Sequence, residues 1–306
     1  MSAHLVRRLV DLLVTVWGVS TMVFIVLRLS GDPVALFVTE SASEADIERI
    51  RHVLGFDQPI WMQYGRFLGG VLQGDFGNSL RFSRPALPLV LQTLPATLEL
   101  TISALALATL LAIPLGVLAA VRKNGWVDQL VVVGALFGQS MPFFWLGLLL
   151  ILLFAVDLHL LPALGSATPQ HLILPACTLA AYSLARTTRL VRSGMLDVLG
   201  EDYVRTARAK GLDERRVLFG HALRNVLLPV FTIVWLEFGT LVGGAVVTET
   251  IFSWPGIGRL VVQAIQGRDY PIVQAAVFVI AALVVVASFL VDLAHTWADP
   301  RLRAEA

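Results

Sequence analysis

Six stretches of the chain are apolar over a length that matches a lipid bilayer: residues 9–29, 97–121, 130–156, 172–190, 228–251 and 272–297. At about 1.5 Å of rise per residue, some 20 apolar residues cover the roughly 30 Å of hydrocarbon. A run of that length in lipid satisfies its backbone polar groups internally as a helix. The pattern therefore predicts an all-α, polytopic membrane protein with six transmembrane helices. Two polar blocks interrupt it, residues 30–95 and residues 191–227.

Each polar block carries helical spacing of its own. In the first, Ser43 opens a helix with Asp46 three residues on, Ile47, Ile50 and Leu54 supply an apolar face, and Gly55 closes it. A second helix is expected after Pro59, and its Ile60, Trp61, Tyr64, Phe67 and Leu68 suit either the membrane interface or a packed cap. In the second block, Glu201 to Lys210 holds no helix breaker, Gly211 supplies a turn, and Asp213 caps a further helix running to about Asn225.

Composition agrees with the spans. The 306 residues are 57% hydrophobic and 15% charged, with mean hydropathy +0.77, whereas a soluble domain carries about 25% charged residues. The net charge of +1 matters less than its distribution. Arg7 and Arg8 precede the first run, Arg122 and Lys123 follow the second, Arg301 and Arg303 close the chain, and no Lys or Arg separates the third run from the fourth. From Arg186 to Arg224 nine cations face five acids. Cations gather on the cytosolic side, which puts both termini and residues 191–227 in the cytosol and residues 30–95 outside. The first apolar run is too long for a cleaved signal peptide and no A-x-A site follows it. Cys177, the single cysteine, has no internal disulfide partner.

Some residues inside the runs call for an explanation. Gly138, Gln139, Ser140, Met141 and Pro142 predict a bend, which is either part of a gate or pathway wall or a packing kink. Gly239, Gly243 and Gly244 permit close helix contact. Glu237 lies deep in the fifth run, where a carboxylate needs water or a partner; Arg186 or Arg189 is the expected partner, with the translocation path as the rival site. The basic block itself reads either as a loop drawn to anionic lipid or as a docking element for a cytosolic protein.

Tyr203, Arg205, Thr206, Ala207, Ala209, Lys210, Gly211, His221, Leu223, Arg224, Asn225 and Pro229 favour docking, because together they resemble the loop by which permease subunits of ABC importers engage their ATPases, in the dipeptide, oligopeptide and nickel branch. The wider pattern, E-A-A, three residues, Gly, nine residues, I-x-L-P, is not kept throughout. Its glutamate position is Arg205, its isoleucine position His221 and its proline position Arg224, with a proline arriving at Pro229. The branch shares these departures. Gly31-Asp32-Pro33, Gly74-Asp75-Phe76-Gly77, Leu94-Pro95-Ala96-Thr97, Leu161-Pro162, residues 247–274 and Asp299-Pro300-Arg301 extend the resemblance over nearly the whole chain.

The resemblance implies a multi-pass permease subunit in a bacterial inner membrane. It implies as partners a second homologous permease, two cytosolic ABC ATPases and an extracytoplasmic substrate-binding protein. ATP and Mg would be held by the ATPases, with no cofactor or metal on this chain and no nucleic acid. Glu201, Tyr203, Arg205, Thr206, Ala207, Lys210, Gly211, His221 and Arg224 are the expected ATPase-coupling residues. Gln139, Ser140, Met141, Pro142 and Glu237 are the pathway or gate candidates. Peptides are the commonest cargo of the branch; nickel, glutathione and other small solutes are the alternatives.

Two other classes are disfavoured by the residues. Lys123 and Lys210 are the only lysines and neither closes a G-x-x-x-x-G-K-[ST] loop, while no H-E-x-x-H occurs. A self-sufficient ion-coupled carrier commonly has internal repeats and paired broken helices, and this sequence has no internal repeat.

Overall fold

The computed structural model describes residues 2–29, 44–53, 55 and 57–298. Among these residues the only β-type pairing is a single bridge between Asn78 and Pro85. The helices are α1 (Ser2–Leu29), α2 (Glu44–Val53), α3 (Ile60–Gln73), α4 (Ala86–Val121), α5 (Trp126–Ser140), α6 (Phe143–Leu150), α7 (Ile173–Leu199), α8 (Asp202–Ala209), α9 (Leu223–Ile251), α10 (Ile257–Gln266) and α11 (Tyr270–Ala298). Ser43, Gly31-Asp32-Pro33 and Asp299-Pro300-Arg301 lie outside the described residues, as do the side chains of Arg7 and Arg8.

Three helices are long and apolar enough to cross a membrane: Ala86–Val121, Arg216–Ile251 and Tyr270–Leu290. A fourth crossing results if α5 and the helix Phe143–Asp157 make one broken span, the two being bent by 108°. The third apolar run, expected over 130–156 as one bent helix, is thus two helices. Pro142 lacks the donor that would continue the ladder, so Met141 and Pro142 turn extended and α6 restarts at Phe143. Beyond Leu150 the backbone widens into a π-helical turn, Ile151–Asp157. The apolar part of α1, Leu13–Leu29, is shorter than a full crossing, and α7 carries Arg186, Arg189 and Arg192 within its length.

The described residues form two compact units, residues 1–96 with 255–306 and residues 97–254. In the first, α11 packs against α1 and α10 over a core that includes Leu27, Phe76, Val90, Ile257, Tyr270, Ile272 and Val279. The aromatic face of α3 divides. Tyr64 and Phe67 stack against Phe24 of α1, and the Tyr64 and Thr21 hydroxyls hydrogen-bond at 2.7 Å, whereas Ile60 and Trp61 stay exposed. The Gly74-Asp75-Phe76-Gly77 turn sends Phe76 inward onto Phe278. Just beyond it, the Ser79 hydroxyl donates to the buried Asp269 carboxylate at 2.5 Å.

In the second unit α7 packs against α5, α6 and α9. Leu179, Thr187, Val191 and Met195 are wholly buried on it. Close approach needs residues without side chains: a Cβ at Gly116 of α4 would fall 2.8 Å from the Thr188 carbonyl oxygen of α7. Of the glycines expected to let α9 approach its neighbours, Gly244 faces Leu179 and Phe143, while a Cβ on Gly243 meets nothing within 4 Å.

Candidate functional site

The basic block folds as a short helix clamped to a longer one. α8 has two inward side chains one turn apart, Val204 and Ala207, which pack with Val217 against Val198, Leu199 and Leu212. Burying these small residues fixes the helix and leaves Glu201, Tyr203, Arg205, Thr206 and Lys210 exposed. Of the expected coupling residues on α8, Ala207 alone is therefore internal. Lys210 caps the helix and Gly211 follows at φ +75°. There the Gly211 amide donates to the Arg208 carbonyl at 2.9 Å and the Leu212 amide to that of Ala207 at 3.4 Å. This is a left-handed stop of the kind glycine favours.

The chain then re-enters helix at Glu214, and the Asp213 carboxylate accepts from the Arg215 amide at 3.2 Å. Sequence reasoning ends this helix near Asn225 and begins a new span at Leu228. In the structure the two are one helix, Arg216–Ile251, 36 residues long. Pro229 lies inside it and does not stop it. Its first turns, Arg216–Ala222, are π-helical and hold His221, which like Arg224 is exposed.

Two contacts tie α8 to the start of this long helix. The Asn225 amide donates to the Tyr203 hydroxyl at 2.7 Å, and Arg208 reaches Glu214 at 2.7 Å. The Arg208 hydrogen bond holds the Glu214 carboxyl below the usual glutamate range and raises the guanidinium. The small stabilisation from that depressed carboxyl is complete at neutral pH and fades only as pH falls through the lowered value. A further clamp joins the neighbouring helices. Arg192 of α7 donates from Nε and Nη2 to Asp128 of α5 at 2.5 and 2.7 Å, and Asp128 also accepts the Asn124 amide at 2.9 Å.

Sequence reading did not single out Asp128, because 64 residues separate it from its partner. The pair makes a prediction. Arg192→Ala strands a carboxylate that is 3% exposed and should lower stability by about 3 kcal/mol, whereas Arg192→Ala with Asp128→Ala should recover most of the loss. Thermal unfolding of the detergent-extracted chain measures both; equal losses in the single and double variants would count against the clamp.

The gate candidates sit at the helix break. Gln139 is half-buried and its Oε1 accepts from Arg189 of α7, Ser140 and Pro142 are exposed, and Met141 is half-buried. Glu237 of α9 is 1% exposed, accepts the Ser183 hydroxyl of α7, and lies 3.7 Å from Nε of Arg186, whose side chain is 45% exposed. Arg186 is thus the ion-pair partner and Arg189 is engaged elsewhere. Ser183 was not foreseen, since a serine in an apolar run carries no signal until its neighbour is known.

A basic, rigid helix pair appended to an apolar bundle is the arrangement of one transporter family. The binding-protein-dependent transport system inner membrane component family matches residues 112–304, and the corresponding N-terminal family matches residues 1–103. The chain belongs to this family. It is an integral, multi-pass component of a bacterial inner membrane. It is 40% identical over 99% of both chains to the dipeptide transport system permease of Escherichia coli K12. It is 41% identical, again over 99% of both, to the di/tripeptide permease of Pseudomonas aeruginosa. The glutathione permease of Escherichia coli K12 is 40% identical over the same shares. The inward-facing methionine ABC transporter MetNI shares the fold, with TM-score 0.58 at 19% identity over 67% of this chain and 93% of that one. Relatives of this kind are permease subunits, the membrane component of ABC transporters.

Proposed function

We propose that this permease forms half of the translocation pathway of an ATP-driven importer for di- and oligopeptides. The observation that carries the reading is full-length identity near 40% to dipeptide, di/tripeptide and glutathione permeases alike, glutathione being itself a short peptide. A second, homologous permease supplies the other half, an external binding protein delivers the cargo, and two cytosolic ABC ATPases bind ATP and Mg. The chain itself performs no covalent chemistry.

Coupling runs through residues 191–227. The exposed side chains Glu201, Tyr203, Arg205, Thr206, Lys210, His221 and Arg224 meet the ATPase, and Ala207 and Gly211 set their geometry. Support comes from the absence of a break between the docking segment and the membrane: residues 216–251 are one helix, so a push on α8 reaches the bundle through a stiff rod rather than a loop. The departure at Arg205 from the family-wide glutamate makes this electrostatic contact one in which the permease presents the cation.

Six crossings with both termini in the cytosol complete the reading, the basic segments lying inside. With Cys177→Ala as background, Arg84→Cys should react with an impermeant thiol reagent added to intact cells and Asp213→Cys should not. The opposite labelling would reverse the orientation and remove α8 from the ATPase side. Cargo is tested by uptake of a labelled dipeptide into vesicles holding the complete importer. No uptake at any peptide length, with the loaded binding protein present, would refute the peptide assignment.

A further inference from the structure

α7 carries a polar stripe that the coupling and packing roles leave unused. Tyr182, Arg186, Arg189, Ser193 and Asp197 recur every three or four residues, which places them on one face of the helix. Arg186, Ser193 and Asp197 are exposed and the other two half-buried, while Ser183, Thr187, Val191 and Met195 are buried within the unit. A polar face on a helix of a membrane bundle meets water, protein or cargo rather than acyl chains.

Within the stripe Arg186 is the group with unused capacity. Arg189 is held by Gln139 and Asp197 sits at the far end of α7. Arg186 has one charged neighbour, Glu237, which approaches Nε at 3.7 Å, longer than a hydrogen bond, and the guanidinium makes no hydrogen bond among the described residues. Glu237 is buried and already accepts from Ser183. It therefore orients the arginine from behind and leaves its outer edge open.

From this we infer that Arg186 is a specificity-determining residue of the pathway, taking the free carboxylate of the passing peptide on its exposed guanidinium edge while Glu237 positions it. The inference rests on the peptide reading. A guanidinium matches a carboxylate in plane and in two parallel hydrogen bonds. The grip is kept weak enough for release because the side chain is 45% exposed.

The test uses the complete importer in ATP-loaded vesicles with saturating loaded binding protein, and reads dipeptide taken up per ATP hydrolysed. Arg186→Gln alone leaves Glu237 buried and unpaired and is expected to weaken folding as well. The deciding variant is therefore Arg186→Gln with Glu237→Gln, which removes both charges and keeps both shapes. Its complex should purify with wild-type yield and thermal stability, while uptake per ATP stays down about tenfold, the loss of one charge-assisted bond. Arg186→Lys should recover most of the uptake.

Near-normal uptake in the double variant would reduce Arg186 to a structural partner of Glu237 and overturn the proposal. Loss of the second permease from the purified double variant would assign Arg186 to the contact between permeases, and would overturn it equally. Failure of the wild-type importer to move dipeptides would instead refute the peptide reading itself.

Discussion

Gly211→Val is expected to abolish ATP-driven uptake while the subunit still reaches the membrane. The glycine sits at φ +75°, a region that costs an L-residue about 1–2 kcal/mol and a β-branched one more. A Cβ added there meets nothing within 4 Å, so the effect is backbone strain and not a clash. The chain relieves it by refolding the turn, which swings α8 off the Val217 contact and displaces the exposed face that Val204 and Ala207 hold. Membrane insertion depends on the apolar runs and is unaffected. Gly211→Asn separates strain from side-chain bulk, since asparagine tolerates left-handed backbone, and should retain most uptake. Transport by Gly211→Val at the normal rate in ATP-loaded vesicles would remove α8 as the coupling lever.

Glu237→Ala is expected to destabilise the chain by about 3–5 kcal/mol, the largest effect of any single substitution considered. The carboxylate is 1% exposed and faces both Ser183 and Arg186 of α7. Truncation leaves a cavity, an unpaired Ser183 hydroxyl and a guanidinium without its counter-charge. Glu237→Gln keeps the volume and the acceptor for Ser183, so its loss should be smaller, about 1–2 kcal/mol. Arg186 is half in solvent and retains hydration when its partner goes, which limits the loss further. Thermal unfolding in detergent reads the series. Equal stability of Glu237→Ala and wild type would show that the buried contact does not hold α9 to α7.

What the sequence determined was whatever depends on near neighbours along the chain. The apolar runs, the helix, turn, helix of residues 201–225 with Gly211 at its corner, the helix after Pro59 and the disturbance at Gly138 to Pro142 all follow from local composition and spacing. In each, backbone preference and hydrophobic period act over fewer than about ten residues. The family resemblance was legible for the same reason, since its motifs are short and occur in order.

Tertiary structure decided everything that required knowing which helix lies beside which. Pro142 announces a bend, but its 108° angle depends on what α5 and α6 each pack against. Pro229 suggests a boundary, yet packing at Val226 and Val230 carries one helix straight through from Arg216 to Ile251. Asp128 finds Arg192 across 64 residues, and Ser183 finds Glu237 across 54. The polar stripe of α7 could be numbered from the sequence, but which of its arginines was already satisfied could not. A buried ion pair forms between groups that folding brings together in a low-dielectric interior, and residue order carries no record of that proximity.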